Sequence, residues 1–200
     1  MRALSSRNTQ SNIVLRNQID KIRLLFCKDR ESYLCFYRIL GFYPRNIQLY
    51  EQALLHKSSS VRSDKGRPLN NERLEFLGDA ILDAIVGDIV YKRFEGKREG
   101  FLTNTRSKIV QRETLNKLAV EIGLDKLIKY STRSSSHNSY MYGNAFEAFI
   151  GAIYLDQGYE RCKQFMEQRI INRYIDLDKI SRKEVNFKSK LIEWADTRRN

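Results

Sequence analysis

Residues Asn71 to Phe94 read NERLEFLGDAILDAIVGDIVYKRF, the most apolar part of the chain. Leu74, Phe76, Leu77, Ala80, Ile81, Leu82, Ala84, Ile85, Val86, Ile89 and Val90 recur at helical spacing and cover most of a helical circumference. A helix apolar nearly all round belongs in a core. Its acids are not scattered. At about 100° per residue, Glu72, Glu75, Asp79 and Asp83 share one narrow stripe. Like charges one turn apart repel, and desolvation beside a buried wall adds to that cost. Arg73 and Lys92 lie off the stripe, so the compensating positive charge comes from elsewhere. Two readings fit: a solvated face carrying surface ion pairs, or ligands for a hard divalent cation that prefers oxygen.

A second stretch bears on that choice. Gly143 to Gln157, GNAFEAFIGAIYLDQ, is again strongly apolar and places Asn144 and Glu147 one turn apart. Gly151 and Ala152, one turn further on, are small enough to let another helix approach closely. Two apolar helices, each offering oxygen ligands at i,i+3 or i,i+4, resemble a metal site in a bundle core. Asn-x-x-Glu is also a capping-box-like helix start, with Asn144 as cap and Glu147 at the third position.

Helical spacing continues through most of the chain. It predicts helices over 12–27, 31–40, 46–57, 71–93, 103–110, 112–122, 143–157, 159–175 and 187–197. Breakers separate them at Gly41 and Pro44, Ser58 to Pro68, Gly96 and Gly100, Gly123, and Ser131 to Ser139. No segment alternates as a strand would. The fold class expected is all-α, with an extension at 1–30, a central domain at 31–177 and a tail at 178–200.

Composition fits this organisation. The 200 residues are 42% hydrophobic and 11% aromatic, with 10 Gly and 2 Pro, which excludes collagen-like, low-complexity and wholly disordered chains. The net charge of +12 and pI of 9.7 point to a polyanion, either nucleic acid or an acidic membrane surface. Residues 1–30 carry seven basic and two acidic side chains, and residues 181–200 carry six and three. Two thirds of the excess therefore sits in the appendages around a nearly balanced middle. No apolar run is long enough for a transmembrane helix, and MRALSSRNTQ lacks the apolar stretch of a secretory signal. Three cysteines, Cys27, Cys35 and Cys162, without CxxC spacing fit a reducing, cytoplasmic location better than a disulfide or zinc framework. A transit peptide is the minor alternative for the basic start.

At this point the residues resemble a family. Asn71-Glu72-Arg73-Leu74-Glu75-Phe76-Leu77-Gly78-Asp79-Ala80 is similar to the signature helix of ribonuclease III, the double-stranded-RNA-specific endonuclease. Leu40-Gly41-Phe42 with Glu51 to Ser58, Arg98 to Thr103 with Glu113-Thr114-Leu115, and Gly143 to Asp156 resemble further segments of its nuclease domain, in the same order. Asn186 to Ala195 resembles the first helix of the double-stranded-RNA-binding domain, which implies that the chain ends inside that domain and leaves Trp194 without its core.

The resemblance implies a homodimeric, helical endoribonuclease fold using Mg²⁺, with Mn²⁺ as a substitute, on double-stranded RNA in rRNA and mRNA processing. It implies metal binding by Glu75, Asp79, Asn144 and Glu147, with Asp79 and Glu147 also catalytic. Glu72 and Glu99 take supporting places, Glu99 near or across a dimer interface, and Phe76 takes that of a knob entering the partner subunit or of ordinary core. The expected products carry 5′-phosphate and 3′-hydroxyl ends. Thr103, Arg106, Ser107, Lys108 and Arg112 are candidate RNA contacts, as are Lys57, Arg62, Lys65 and Arg67, although for any single one of them a solubilising surface charge is the reading that ranks first. His56 reads as packing or hydrogen-bonded near the core, and His137 as part of a Ser-rich loop.

One residue departs from the family pattern, which has Asp where this chain has Asn144. An amide oxygen can ligate a cation but is neutral and cannot act as a base. The change is tolerated, inactivating, or introduced deliberately. The alternative function is accordingly a catalytically silent ribonuclease III fold that binds structured RNA as a scaffold, and the third is a helical interaction protein without metal or RNA.

Overall fold

The structure, a computed structural model, describes residues 30–131 and 140–180, which fall into two compact units dividing after Ile47. The described part of the first unit is helix α1, Arg30–Leu40, closed by Gly41 at φ 79°. The Gly41 amide donates to the Tyr37 carbonyl at 2.8 Å, the left-handed helix ending that glycine permits. The Tyr37 and Tyr43 rings stack at 4.3 Å.

The second unit contains α2 (Ile47–Ala53), α3 (Glu72–Arg93), α4 (Glu99–Val110), α5 (Arg112–Glu121), α6 (Met141–Gln157) and α7 (Tyr159–Phe165). Short 3₁₀ turns sit at Lys57–Ser59 and Leu124–Lys126. The described residues contain no strand, only isolated bridges between Leu55 and Lys129 and between Arg62 and Pro68. The chain is helical, as expected.

Helix α6 is the centre of the unit. Ala145, Phe146, Ala148, Phe149, Ile150, Ala152 and Ile153 are all fully buried, so seven of its seventeen residues face protein on several sides. Leu82, Ile85 and Val86 of α3 and Leu115 and Leu118 of α5 complete this core. Phe149 meets the rings of Tyr50 at 5.5 Å and Phe165 at 6.2 Å, both edge to face. The Tyr50 hydroxyl donates to Asp156 at 2.8 Å, so the one polar atom of a fully buried ring is satisfied.

Several elements differ from expectation for definite reasons. The segment 46–57 stops being helical after Ala53, because Leu55 and His56 pair instead with the chain around Lys129. Helix α4 begins at Glu99 rather than 103: an acid in the first turn suits the helix dipole, and Gly100 is carried inside the helix. The span 159–175 changes pitch at Met166–Ile171, a π-helical turn burying Met166, Ile170 and Ile171. Helix α3 is not buried all round, since Phe76 is 83% exposed and Ala80 and Ala84 are exposed too. The helices expected at 12–27 and 187–197, together with Trp194 and His137, lie outside the described residues.

Candidate metal centre

The site begins where α3 and α6 cross. A β-carbon on Gly78 would fall on the carbonyl oxygen of Glu147 and stand 2.9 Å from the Gly151 nitrogen. A β-carbon on Gly151 would run into the Leu74 carbonyl and stand 3.2 Å from the Gly78 nitrogen. Only glycine fits at either position, so the two helices touch backbone to backbone. The residues flanking that contact then face one another across a short gap.

The flanking residues are the oxygen donors. Glu75 and Asp79 from α3 and Asn144 and Glu147 from α6 line a single open cleft of about 420 Å³, together with Glu72, Phe76, His56, Lys57, Asn71 and Arg112. The four residues expected to hold metal are therefore brought together. Asn144 is not a helix cap: α6 begins at Met141 with Tyr140 at the cap position, and the Asn144 side chain lies inside the first turns. Its amide donates to Glu75.

Burial and crowding of charge shape the acids. The Glu147 carboxyl is raised to about 7, first by burial and then by the neighbouring charges of Asp79 and Glu75, against the opposing effect of Arg112. Glu75 is also raised, by burial and by Glu72, while Lys57, Arg112 and the Asn144 amide act the other way. The compensating positive charge thus comes from off the helix. Glu72 is exposed: Lys57 lies 3.9 Å from its carboxylate and the Asn70 amide donates to it at 3.0 Å. Surface ion pairing describes Glu72 well, but not the half-buried Glu75 and Glu147.

Among the described residues no three carboxylate, histidine or cysteine side chains converge as a preformed metal cluster. Carboxylates held near one another without a positive partner between them repel and stand apart. The donor set nevertheless fits a hard divalent ion. It is all oxygen, carries three carboxylates and one amide, and includes two acids whose ionisation is resisted by burial and by neighbouring carboxylates.

The walls of the cleft are less legible in the sequence. His56 is 5% exposed, and its Nδ1 lies 2.9 Å from the Ser58 hydroxyl and accepts from the Ser58 amide at 3.3 Å, in line with a packed, hydrogen-bonded histidine. Burial, then Lys57, lowers its pKa. Asn71 is 2% exposed and donates from its side chain to the Ala53 carbonyl at 3.2 Å, tying the start of α3 to the end of α2. Both lie within motif segments, His56 in 51–58 and Asn71 at the head of α3, but the sequence signals no role in the cleft for either; His56 is set there by the pairing of its segment with Lys129.

Other expected residues lie elsewhere. Glu99 is exposed at the start of α4, accepts from the Thr103 hydroxyl at 2.8 Å, and does not line the cleft of this subunit. Thr103, Arg106, Ser107 and Lys108 are on α4, also outside the cleft. Arg62 donates to the Gly66 carbonyl at 2.8 Å within its own loop, while Lys65 and Arg67 are exposed. Asp83, the fourth acid of the stripe, is half-buried beyond the cleft and acts on Glu147 only through its charge.

Comparison with known proteins agrees with this geometry. Residues 46–174 match the family model described as Ribonuclease-III-like. The chain is 96% identical over 182 residues to the "Ribonuclease 3" of Bacteroides thetaiotaomicron, covering 91% of this chain and 58% of that protein. It is 91% identical to that of Bacteroides fragilis, covering 63% of it, and 57% identical to that of Azobacteroides pseudotrichonymphae, covering 69%. The chain thus spans about three fifths of the first two relatives. Among solved structures, a ribonuclease III nuclease domain from Campylobacter jejuni superposes with a TM-score of 0.62 at 31% identity, over 70% of this chain and 96% of that one. Its description refers to a region involved in dimer formation.

Proposed function

The chain belongs to the ribonuclease-III-like family, and from that premise we propose that it hydrolyses phosphodiester bonds in double-stranded RNA using a divalent metal. The observation that carries the reading is the gathering of Glu75, Asp79, Asn144 and Glu147 around one cleft, at a helix crossing that only glycines permit. Relatives named Ribonuclease 3 at 57–96% identity support the enzyme over the silent scaffold. Residues 31–177 are the nuclease domain in this reading, 178–200 the start of an RNA-binding domain, and the protein acts in the cytoplasm on rRNA and mRNA precursors.

Glu75, Asp79, Asn144 and Glu147 would hold the metal, Mg²⁺ or in its place Mn²⁺. A bound divalent ion supplies charge neutralisation at phosphate and a water that is nucleophilic at neutral pH. Asp79 and Glu147 would orient the attacking water and accept its proton. Water adds across the P–O3′ bond, leaving a 5′-phosphate on one fragment and a 3′-hydroxyl on the other. Glu72 supports the cluster through Lys57 and Asn70. Thr103, Arg106, Ser107 and Lys108 give RNA contacts along α4.

The second subunit follows from α3. An 83% exposed phenylalanine beside a charged cleft, continued by exposed Ala80 and Ala84, is an apolar face that water disfavours. Phe76 packs into a partner copy in this reading, and Glu99 serves at that interface. Incubation with duplex RNA across a Mg²⁺ and Mn²⁺ titration tests the function. Cleavage to 5′-phosphate products is expected, and duplex binding without cleavage in either metal would overturn it.

A further inference from the structure

We infer that Arg112 is the phosphate-binding residue of the cleft, a guanidinium aligned by the Tyr140 ring to grip the RNA backbone opposite the carboxylates. This rests on the nuclease reading above and gives Arg112, a candidate RNA contact by sequence, a defined place in the cleft and a partner that aligns it.

Arg112 is the first residue of α5 and lines the same cleft as Glu75, Asp79, Asn144 and Glu147. Its charge acts on both Glu75 and Glu147, so it lies within electrostatic reach of the two half-buried acids. Two cations line this cleft, and they are differently engaged. Lys57 sits 3.9 Å from the Glu72 carboxylate. Arg112 makes no ion pair among the described residues; its guanidinium carbon instead lies 4.2 Å from the centroid of the Tyr140 ring. Stacking orients a guanidinium plane while leaving its N–H edge available, and that edge matches two phosphate oxygens at once.

A hydrogen bond joins the two helices that carry this pair. Tyr140 occupies the cap position of α6, and Gly143, three residues on, donates its amide to the Asn116 side chain of α5 at 2.7 Å. The second turn of α5, one turn beyond Arg112, is therefore tied to the first turn of α6, the turn that also carries Asn144. A cation fixed beside metal ligands opposes metal binding when the cleft holds no anion. When a phosphodiester enters, the same cation attracts it. Arg112 therefore trades some metal affinity for a placed substrate, and the two effects have opposite signs.

That opposition gives the test. Duplex RNA binding is measured in Ca²⁺, Mn²⁺ binding without RNA, and cleavage in Mg²⁺, for the wild-type chain and for Arg112→Gln, Arg112→Lys, Tyr140→Leu and Tyr140→Phe. Arg112→Gln is expected to weaken duplex binding and raise KM about five- to tenfold, as loss of a charge-assisted contact does. It is expected to tighten Mn²⁺ binding roughly two- to fivefold, because a repelling charge is gone. Arg112→Lys keeps the weaker metal binding yet recovers only part of the RNA affinity, and Tyr140→Phe recovers what Tyr140→Leu loses. If Arg112→Gln binds both Mn²⁺ and duplex as the wild type does, or loses both together, the inference is overturned. A wild-type chain that never cleaves, while Arg112→Gln still moves the two affinities in opposite directions, would instead overturn the nuclease reading and leave the phosphate contact standing.

Discussion

Gly78 and Gly151 lie backbone against backbone where α3 crosses α6, with the Gly78 nitrogen 3.2 Å from the place a β-carbon on Gly151 would take. The crossing sets the distance between the Glu75–Asp79 pair and the Asn144–Glu147 pair. Gly78→Ala must push α6 away, because its methyl would meet the Glu147 backbone rather than a yielding side chain. The expected cost is about 3 kcal/mol or more by urea unfolding, at the upper end for overpacking, with Mn²⁺ affinity lost in parallel. Gly100→Ala is the control: it sits in helix α4 with nothing within 4 Å of a new β-carbon, and should gain roughly 0.5 kcal/mol.

Asn144→Asp should move stability and metal affinity in opposite directions. It removes the amide that donates to Glu75 and adds a like charge to a crowded cleft. Without metal the variant should lose about 1 kcal/mol. With Mn²⁺ or Mg²⁺ it should bind about tenfold more tightly, as an added unit charge near a dication does in a half-wet site. Thermal unfolding with and without metal checks both signs.

Metal binding should release a proton near neutral pH. The Glu147 carboxyl stands at about 7 without a cation, so near neutrality it is partly protonated. A dication favours the ionised form and draws the pKa down, so metal affinity rises with pH up to about 7 and flattens above it. Calorimetric titration in buffers of different ionisation enthalpy measures the released proton, and Glu147→Gln should abolish it.

Away from the cleft, Asp88 ties α3 to α7. Lys163 pairs with it, and Lys92 adds a contact at 2.7 Å; the Lys163 side chain is only 15% exposed. The bonds from Lys163 and then Lys92 hold the Asp88 carboxyl below its usual value. The stability this contributes is complete above the unfolded-chain value and is lost as pH falls through the lower folded value. Asp88→Asn should therefore cost about 1–2 kcal/mol at pH 7. The difference from wild type should shrink once the pH drops below about 4.

Much of this arrangement is legible in the sequence, and the illegible part has a common cause. The span of α3 follows from spacing alone, and so does the placing of Glu75 and Asp79 on one helical face, since both depend only on local geometry. Periodicity could not tell that Phe76, Ala80 and Ala84 face outward, because an apolar side chain reads alike whether it meets the core or a second subunit. The break after Ala53 arises from pairing with Lys129, more than seventy residues away. Sequence offers Arg112 and Lys57 as RNA contacts or surface charges, and only the crossing of α3 and α6 sets them beside the acids of the cleft. Asn144 read equally as cap or ligand, and the start of α6 at Met141 removes the first choice.

The account depends most on Glu75, Asp79, Asn144 and Glu147 forming one metal-dependent hydrolytic site. The direct measurement is duplex-RNA cleavage across a Mn²⁺ titration for the wild-type chain, Asp79→Asn and Glu147→Gln, with duplex binding and thermal unfolding measured on the same samples. The wild type should cleave with a saturable metal requirement. Both variants should stay folded and bind duplex while losing about 10²–10⁴-fold in rate. Folded variants that cleave at the wild-type rate with the wild-type metal dependence would contradict it.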